Sequence, residues 1–165
     1  MSSQKHKQLI WNLIKDIKVG MLVTKENDDD SMRARPMHLV QDEYDNTLYF
    51  FTSKEGAKIF EIEEDKDVCI TFSNPDDSVY VSLSGKAKLT EDRALIHKYW
   101  NPWVGAWFEN GKEDSDIAML EVKVNKGEHW DSKNNKFVQL FEIAKSNVMP
   151  STTPNIGENE EFGTE

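Results

Sequence analysis

The sequence contains a single cysteine, Cys69, among its 165 residues. One thiol excludes an internal disulfide, and it also excludes a zinc site built from cysteines. Cys69 lies within an apolar run, so we expect it to be a buried and unreactive side chain. The four histidines are isolated and lack the spacing of metal ligands, so the sequence predicts no metal site.

Positive charge is also scarce, since 20 lysines and arginines face 30 aspartates and glutamates, for a formal net charge of −10. Nucleic acids and anionic membranes both favour a basic partner surface, so this composition argues against either one. No apolar run is long enough to act as a signal sequence or to span a membrane. We therefore expect a cytoplasmic protein.

Apolar residues are sufficient for one packed core, because they make up 38% of the chain. From residue 150 onward the composition changes to Ser, Thr, Pro, Gly, Asn and Glu. A segment of this kind cannot bury enough apolar surface to offset the entropy of ordering it. The sequence predicts one domain over residues 1–149 and a disordered acidic tail over residues 150–165.

Short segments with strand periodicity alternate irregularly with segments of helical periodicity. The predicted helices cover residues 3–17, 55–64, 90–100, 103–108 and 137–148, with Thr90 as the N-cap of the third. The predicted strands cover residues 19–24, 32–40, 47–53, 67–73, 79–89 and 117–124. About six short strands at hairpin spacing favour an antiparallel barrel decorated by helices over a doubly wound parallel sheet.

The stretch from residue 32 to residue 58 carries the clearest sign of a binding site. A period of two places Arg33, Arg35 and Met37 on one face of a strand, with Pro36 and His38 on the other. Pro36 has no backbone N–H, so it requires an edge strand, a bulge or an interrupted ladder. An interrupted ladder would leave backbone groups free to bind a ligand.

The next strand ends in two hydroxyl residues, Thr52 and Ser53, and Lys58 follows near a predicted helix start. Backbone N–H groups at a helix N-terminus, together with hydroxyls and cations, form an anion site. These residues and the two arginines predict a ligand that bears phosphate. The alternative that we keep open is that Arg33 and Arg35 pair with nearby carboxylates.

Several motifs together resemble the pyridoxamine 5′-phosphate oxidase-like flavoproteins, and most closely the general stress protein 26 branch. The resemblance covers about residues 5–148. It rests on the motifs Arg33-x-Arg35-Pro36-Met37, Phe50-Phe51-Thr52-Ser53 with Lys58, Tyr80 to Gly85, Trp100-Asn101-Pro102-Trp103 with Trp107-Phe108, and Glu128-His129-Trp130-Asp131.

The resemblance implies a mainly β (α+β) fold, a six-stranded antiparallel split barrel with Greek-key-like topology flanked by helices. It further implies a homodimer that binds FMN at its interface, with Trp130 near the cofactor of the neighbouring subunit. The residues that match the cofactor site of the family are Arg33, Arg35, Pro36, Met37, Phe51, Thr52, Ser53, Lys58 and Trp130. No catalytic residue is assigned.

Three functions agree with the sequence. The first is an FMN-dependent oxidoreductase with an unknown electron donor or acceptor. The second is a non-catalytic protein that binds or sequesters flavin under stress, and the third is an interaction dimer without a cofactor. The acidic tail replaces the basic C-terminal residues of pyridoxamine phosphate oxidases, so we do not expect that activity. For the cluster from Trp100 to Trp107 we expect a place in the core or at an interface rather than at a cofactor.

Overall fold

A curled antiparallel sheet forms the centre of the molecule, which we describe from a computed structural model over residues 3–26, 30–57, 66–131 and 158–163. Its strands are β1 (Val19–Lys25), β2 (Met32–His38), β3 (Thr47–Ser53), β4 (Lys66–Asn74), β5 (Val79–Thr90), β6 (Ile117–Asp131) and β7 (Glu158–Gly163). The spatial order is β2-β1-β4-β5-β6-β3, and β7 adds to β6. All these pairs are antiparallel, so the predicted fold class is confirmed.

The barrel is split between β2 and β3, the two ends of this strand order. In the described residues, an isolated bridge between Leu39 and Phe50 is the β-pairing across this split. Pro36 pairs with Met21 of β1 and lies in the end strand β2, where its missing N–H costs no ladder bond. Of the three settings that the sequence left open for Pro36, the structure therefore has the edge strand.

A buried glutamine, Gln41, reinforces the closed end of the split. Its Nε2 donates to the carbonyls of Glu43 (2.8 Å) and Thr47 (2.7 Å), and its Oε1 accepts from the N–H of Tyr49 (2.8 Å). These bonds give partners to three backbone groups between Glu43 and Tyr49. Gln41 thus attaches the segment after β2 to the start of β3.

The core lies inside the curled sheet and under the first helix, α1 (Ser3–Ile14). Burial alternates along β1, β4 and β5, as expected for strands with one face inward. Ile10 and Ile14 of α1 are buried against this core, which confirms the helical periodicity predicted there. Burying one side chain of this size contributes about 1.5–3 kcal/mol.

A second, smaller apolar cluster lies under helix α2 (Arg93–Tyr99). Ile96 of α2 is buried there with Ile117 and Met119 of β6. The N-cap of α2 is Asp92, whose side chain accepts from the N–H of Ala94 at 3.0 Å, so the prediction of Thr90 as the cap was wrong. Thr90 ends β5 instead, because β6 pairs with β5 to that residue.

Three further predictions need correction. The sixth strand continues to Asp131, beyond the predicted end at residue 124. Cys69 is half-buried, with its Sγ 3.5 Å from the Oγ of Ser82. Within the predicted disordered tail the structure has strand β7, which pairs with β6.

The predicted helices over residues 55–64 and 137–148 fall largely or wholly outside the described residues. Of the first, the structure describes a 3-10 turn, Glu55–Ala57.

Strand β6 pairs with the long strand β5 on both sides of a bulge at Asn125. The register shifts there, from Ser84 opposite Lys126 to Gly85 opposite Val124. Gly85 lies so close to β6 that an added Cβ would be 2.1 Å from the carbonyl oxygen of Lys123. Only glycine fits at such a close approach of two strands.

We predict that Gly85→Ala destabilises the fold, because the new methyl group would force the backbones of β5 and β6 apart. Overpacking of this kind typically costs about 1–3 kcal/mol, and a backbone obstacle places the change at the upper end. Urea unfolding would measure the free energy. Gly105→Ala is the control, because its nearest neighbour would be at an ordinary 3.4 Å from the Cβ. Equal stability of the two variants would contradict the prediction.

Candidate functional site

A cavity of 510 Å³ opens beside the split between β2 and β3, and we call it the aromatic pocket. Strand β2 contributes Pro36, Met37 and His38, and strand β3 contributes Phe51, Thr52 and Ser53. The other lining residues are Val19, Trp103, Val104, Trp107, Phe108 and Asp116. Its size lies within the range of small-molecule sites, and mostly apolar walls with a few polar groups are typical of such sites.

A short helix, α3 (Pro102–Gly105), and the turn that follows it place Trp103 and Trp107 at the aromatic pocket. Asn101 caps this helix, with its Oδ1 accepting from the N–H of Val104 at 3.1 Å. Val104 is buried on the inner side, whereas Trp103 and Trp107 line the pocket with 52% and 72% of their surfaces exposed. Such exposure of large apolar side chains is unusual unless a ligand or a partner covers them.

Trp100 has a different environment from the two pocket tryptophans. Its ring meets Phe51 edge-on, with centroids 6.0 Å apart, and it packs against the smaller apolar cluster. From the sequence we expected one role for the whole cluster from Trp100 to Trp107, in the core or at an interface. In the structure the cluster has two parts, because a new helix begins at Pro102. Trp103 and Trp107 line the aromatic pocket, whereas Trp100 does not.

Five residues predicted for the site do line one cavity, namely Pro36, Met37, Phe51, Thr52 and Ser53. Ser53 also organises the turn after β3, because its Oγ accepts from the N–H of Gly56 at 3.0 Å. Lys58, predicted to bind phosphate at this end, lies outside the described residues.

The two arginines predicted for the phosphate do not line the aromatic pocket. Arg35 forms an ion pair with Glu26 at 2.9 Å, and the side chains of Arg35 and Glu26 are only 15% and 25% exposed. Burial, and then the neighbouring charge of Arg33, lower the pKa of Arg35, while Glu26 acts in the opposite direction. Arg33 itself is exposed on the surface. The structure thus gives Arg35 a carboxylate partner, the alternative considered from the sequence.

Trp130, the other predicted cofactor residue, does not line the aromatic pocket. It lies in β6 opposite Tyr80 of β5, and both side chains are exposed, by 39% and 41%. Both belong to the outer face of the sheet, away from the core.

His38 is a pocket residue to which the sequence gave no role. Its ring stacks on Trp103 with centroids 4.2 Å apart and an interplanar angle of 25°. Burial, and then the positive charge of Lys18, lower the pKa of His38, so its neutral form predominates at pH 7. The signal for its place was available, because a period of two puts His38 on the same face as Pro36.

The stacked pair of His38 and Trp103 also lines a second cavity of 720 Å³, which we call the polar cavity. Its charged lining residues are Lys15, Asp16, Lys18 and Asp42, and its apolar wall includes Trp11 and Leu39. The two cavities therefore adjoin at this pair of rings.

Two further findings bear on the kind of site. Among residues 3–26, 30–57, 66–131 and 158–163, no group of histidine, cysteine and acidic side chains is arranged to hold a metal ion. In the same part of the chain, no helix has the length and hydropathy needed to cross a membrane.

We predict that Lys18→Gln raises the pKa of His38, because it removes a positive charge that disfavours the imidazolium form. An NMR titration of the histidine side chains would follow this change directly. Lys15→Gln is the matched control, because Lys15 lines the same polar cavity but is not among the causes of the lowered pKa of His38. An unchanged His38 titration in Lys18→Gln would show that burial alone causes the shift.

Comparison of the sequence with known proteins identifies its family. The sequence matches the family described as pyridoxamine 5′-phosphate oxidase like over residues 5–155. It is 32% identical to general stress protein 26 of Bacillus subtilis over 126 residues, which cover 74% of this chain and 86% of that protein.

Solved structures with the same fold give a consistent result. A candidate general stress protein 26 from Jannaschia sp. CCS1 superposes with a TM-score of 0.75, at 25% identity over 99% of both chains. The general stress FMN/FAD binding protein from Xanthomonas citri superposes with a TM-score of 0.70, at 28% identity. That match covers 81% of this chain and 93% of the Xanthomonas protein.

Proposed function

The chain belongs to the pyridoxamine 5′-phosphate oxidase-like family, and from this we propose that it binds FMN in the aromatic pocket and transfers electrons through it. The observation that carries the proposal is the position of the pocket, beside two strand edges that are joined only by an isolated bridge in the described residues. Strand edges offer backbone donors and acceptors to a ligand. Support also comes from the Xanthomonas relative, which is described as binding FMN/FAD.

The residues present suit a flavin ring. An isoalloxazine is flat and apolar on its faces, and its polar groups lie along its edges. Aromatic side chains from Phe51, Trp103, Trp107 and Phe108 supply flat apolar surface. The edge of β2 near Pro36 would meet the polar edge of the ring. When bound, the flavin would supply the redox chemistry, while the protein supplies binding, orientation and electrostatics.

The phosphate of FMN would lie beyond the end of β3. Thr52 and Ser53 line that end of the pocket, and the turn at Glu55–Ala57 begins there. Arg33 is exposed and available for a ligand, in contrast to the more buried Arg35, which is paired with Glu26. We therefore propose Arg33 and Lys58 as the cations that hold the phosphate.

The adjoining polar cavity favours an oxidoreductase over a protein that only stores flavin. A storage protein needs one pocket, whereas electron transfer needs a place from which a second molecule approaches the flavin. The polar cavity shares His38 and Trp103 with the aromatic pocket and has room for such a molecule. The chemical identity of the electron donor or acceptor does not follow from these residues.

We also propose that the protein is a homodimer with the flavin site at its interface. The outer face of the sheet exposes apolar side chains, with Val19 at 45%, Met21 at 40%, Tyr80 at 41% and Trp130 at 39%. Val19 and Met21 lie on β1, which pairs with the strand that carries Pro36, and Tyr80 and Trp130 face each other on β5 and β6. A symmetric pair of subunits is the commonest way to cover a face of this kind.

We predict that Arg33→Ala weakens FMN binding but leaves riboflavin binding almost unchanged. One charge-assisted bond to phosphate contributes about 1.5–3 kcal/mol, which is a loss of tenfold or more in affinity. Calorimetric titration with both flavins measures the two affinities. Lys112→Ala, at an exposed lysine away from the pocket lining, is the control. Equal losses for FMN and riboflavin would remove the phosphate role from Arg33.

We predict that Met21→Asp produces monomers and releases FMN, because two charges per dimer would be buried on the proposed interface. Light scattering gives the mass and visible absorption gives the bound flavin. The control, Ala94→Asp, adds a charge at an exposed position in the first turn of α2, where an acid is tolerated. A Met21→Asp variant that remained dimeric with full flavin content would contradict the proposed interface.

A further inference from the structure

His38 and Asp116 are the titratable side chains that line the aromatic pocket in the described part of the chain. Asp116 is exposed and precedes β6, and its backbone is held by hydrogen bonds to Lys54 and Asp114. His38 lies instead in the end strand β2, where the stacking contact with Trp103 fixes the plane of its ring. Of these two groups, His38 has the more defined orientation.

His38 is also the titratable group that the two cavities share. On one side it faces the aromatic pocket, which is enclosed by aromatic rings. On the other it faces the polar cavity, where Lys15, Asp16, Lys18 and Asp42 are all exposed to solvent. An imidazole has two ring nitrogens, so it can exchange a proton with a ligand on one side and with water on the other.

We propose that His38 is the proton-exchange residue of the aromatic pocket and takes up a proton from the polar cavity when negative charge develops on a ligand there. This inference rests on the proposed flavin function, in which a two-electron donor creates that charge. In the step itself, the lone pair of an imidazole nitrogen forms an N–H bond while an O–H bond of hydronium breaks. The reverse step returns the proton to water when the charge leaves.

The charges around His38 suit this role. Burial and Lys18 keep the imidazole neutral at pH 7, so the group is ready to accept a proton. A new negative charge in the aromatic pocket would act against both effects and stabilise the imidazolium form. Asp116, from the segment before β6, also lines that pocket. Lys15, Asp16 and Asp42 also line the polar cavity, and together with Lys18 their formal charges sum to zero.

The pH dependence of the flavin potential tests this inference on the FMN-loaded protein. If His38 takes up one proton on reduction, the potential of the unmodified protein should fall more steeply with pH than that of His38→Gln. The two slopes should differ by the effect of one proton. One proton changes the equilibrium constant of reduction tenfold per pH unit, which is about 30 mV per pH unit for a two-electron couple. It should appear between the pKa values of His38 in the oxidised and reduced states.

His97→Gln is the matched control, because His97 pairs with Glu113 at 2.7 Å and does not line either cavity. It should keep the slope of the unmodified protein. Parallel plots for the unmodified protein and His38→Gln, with FMN bound in both, would overturn the inference and leave the proposed function intact. Absence of FMN binding by the unmodified protein would overturn the proposed function itself.

A second measurement avoids any dependence on the folding of the variant. NMR titration of the histidine side chains in the unmodified protein gives the pKa of His38 with oxidised and with fully reduced FMN. The inference requires a higher pKa in the reduced state. An equal or lower pKa in the reduced state would overturn it.

Discussion

The interrupted pairing between β2 and β3 is the constraint on which the rest of the molecule depends. The bridge between Leu39 and Phe50 and the three hydrogen bonds of Gln41 hold one end of the split together. Pro36 lies farther along β2, where it has no N–H to offer to a neighbouring strand. A barrel closed along its full length would satisfy these edges internally and would leave no room for the aromatic pocket.

Helix α3 helps to form the aromatic pocket beside this split. Asn101 and Pro102 start the helix, and Val104 anchors its inner side, so that Trp103 and Trp107 form one wall of the pocket. Packing energy from a single buried valine, about 1.5–3 kcal/mol, is modest. A helix of four residues held in this way is a suitable element to adjust to a ligand, since Trp103 in it and Trp107 just after it are already exposed.

Much of the fold could be predicted from the sequence, because its signals are local. The alternation of apolar residues predicted the strands, and the missing N–H of Pro36 indicated an edge strand as one of its possible settings. The C-terminal end of β6 and the cap of α2 could not be predicted. They depend on a bulge at Asn125 and on how far β5 and β6 stay paired, and these are contacts between residues distant in sequence.

The sequence by itself determined which residues could form a site, since Pro36, Thr52 and Ser53 stand on strands whose periodicity is plain. Only the tertiary structure decided which cations accompany them. Arg35 is drawn to Glu26 because a half-buried guanidinium needs a nearby counter-charge, and a strand pattern does not reveal that partner. The stacking of His38 on Trp103 was decided in the same way, because the position of Trp103 is set by a helix far along the chain.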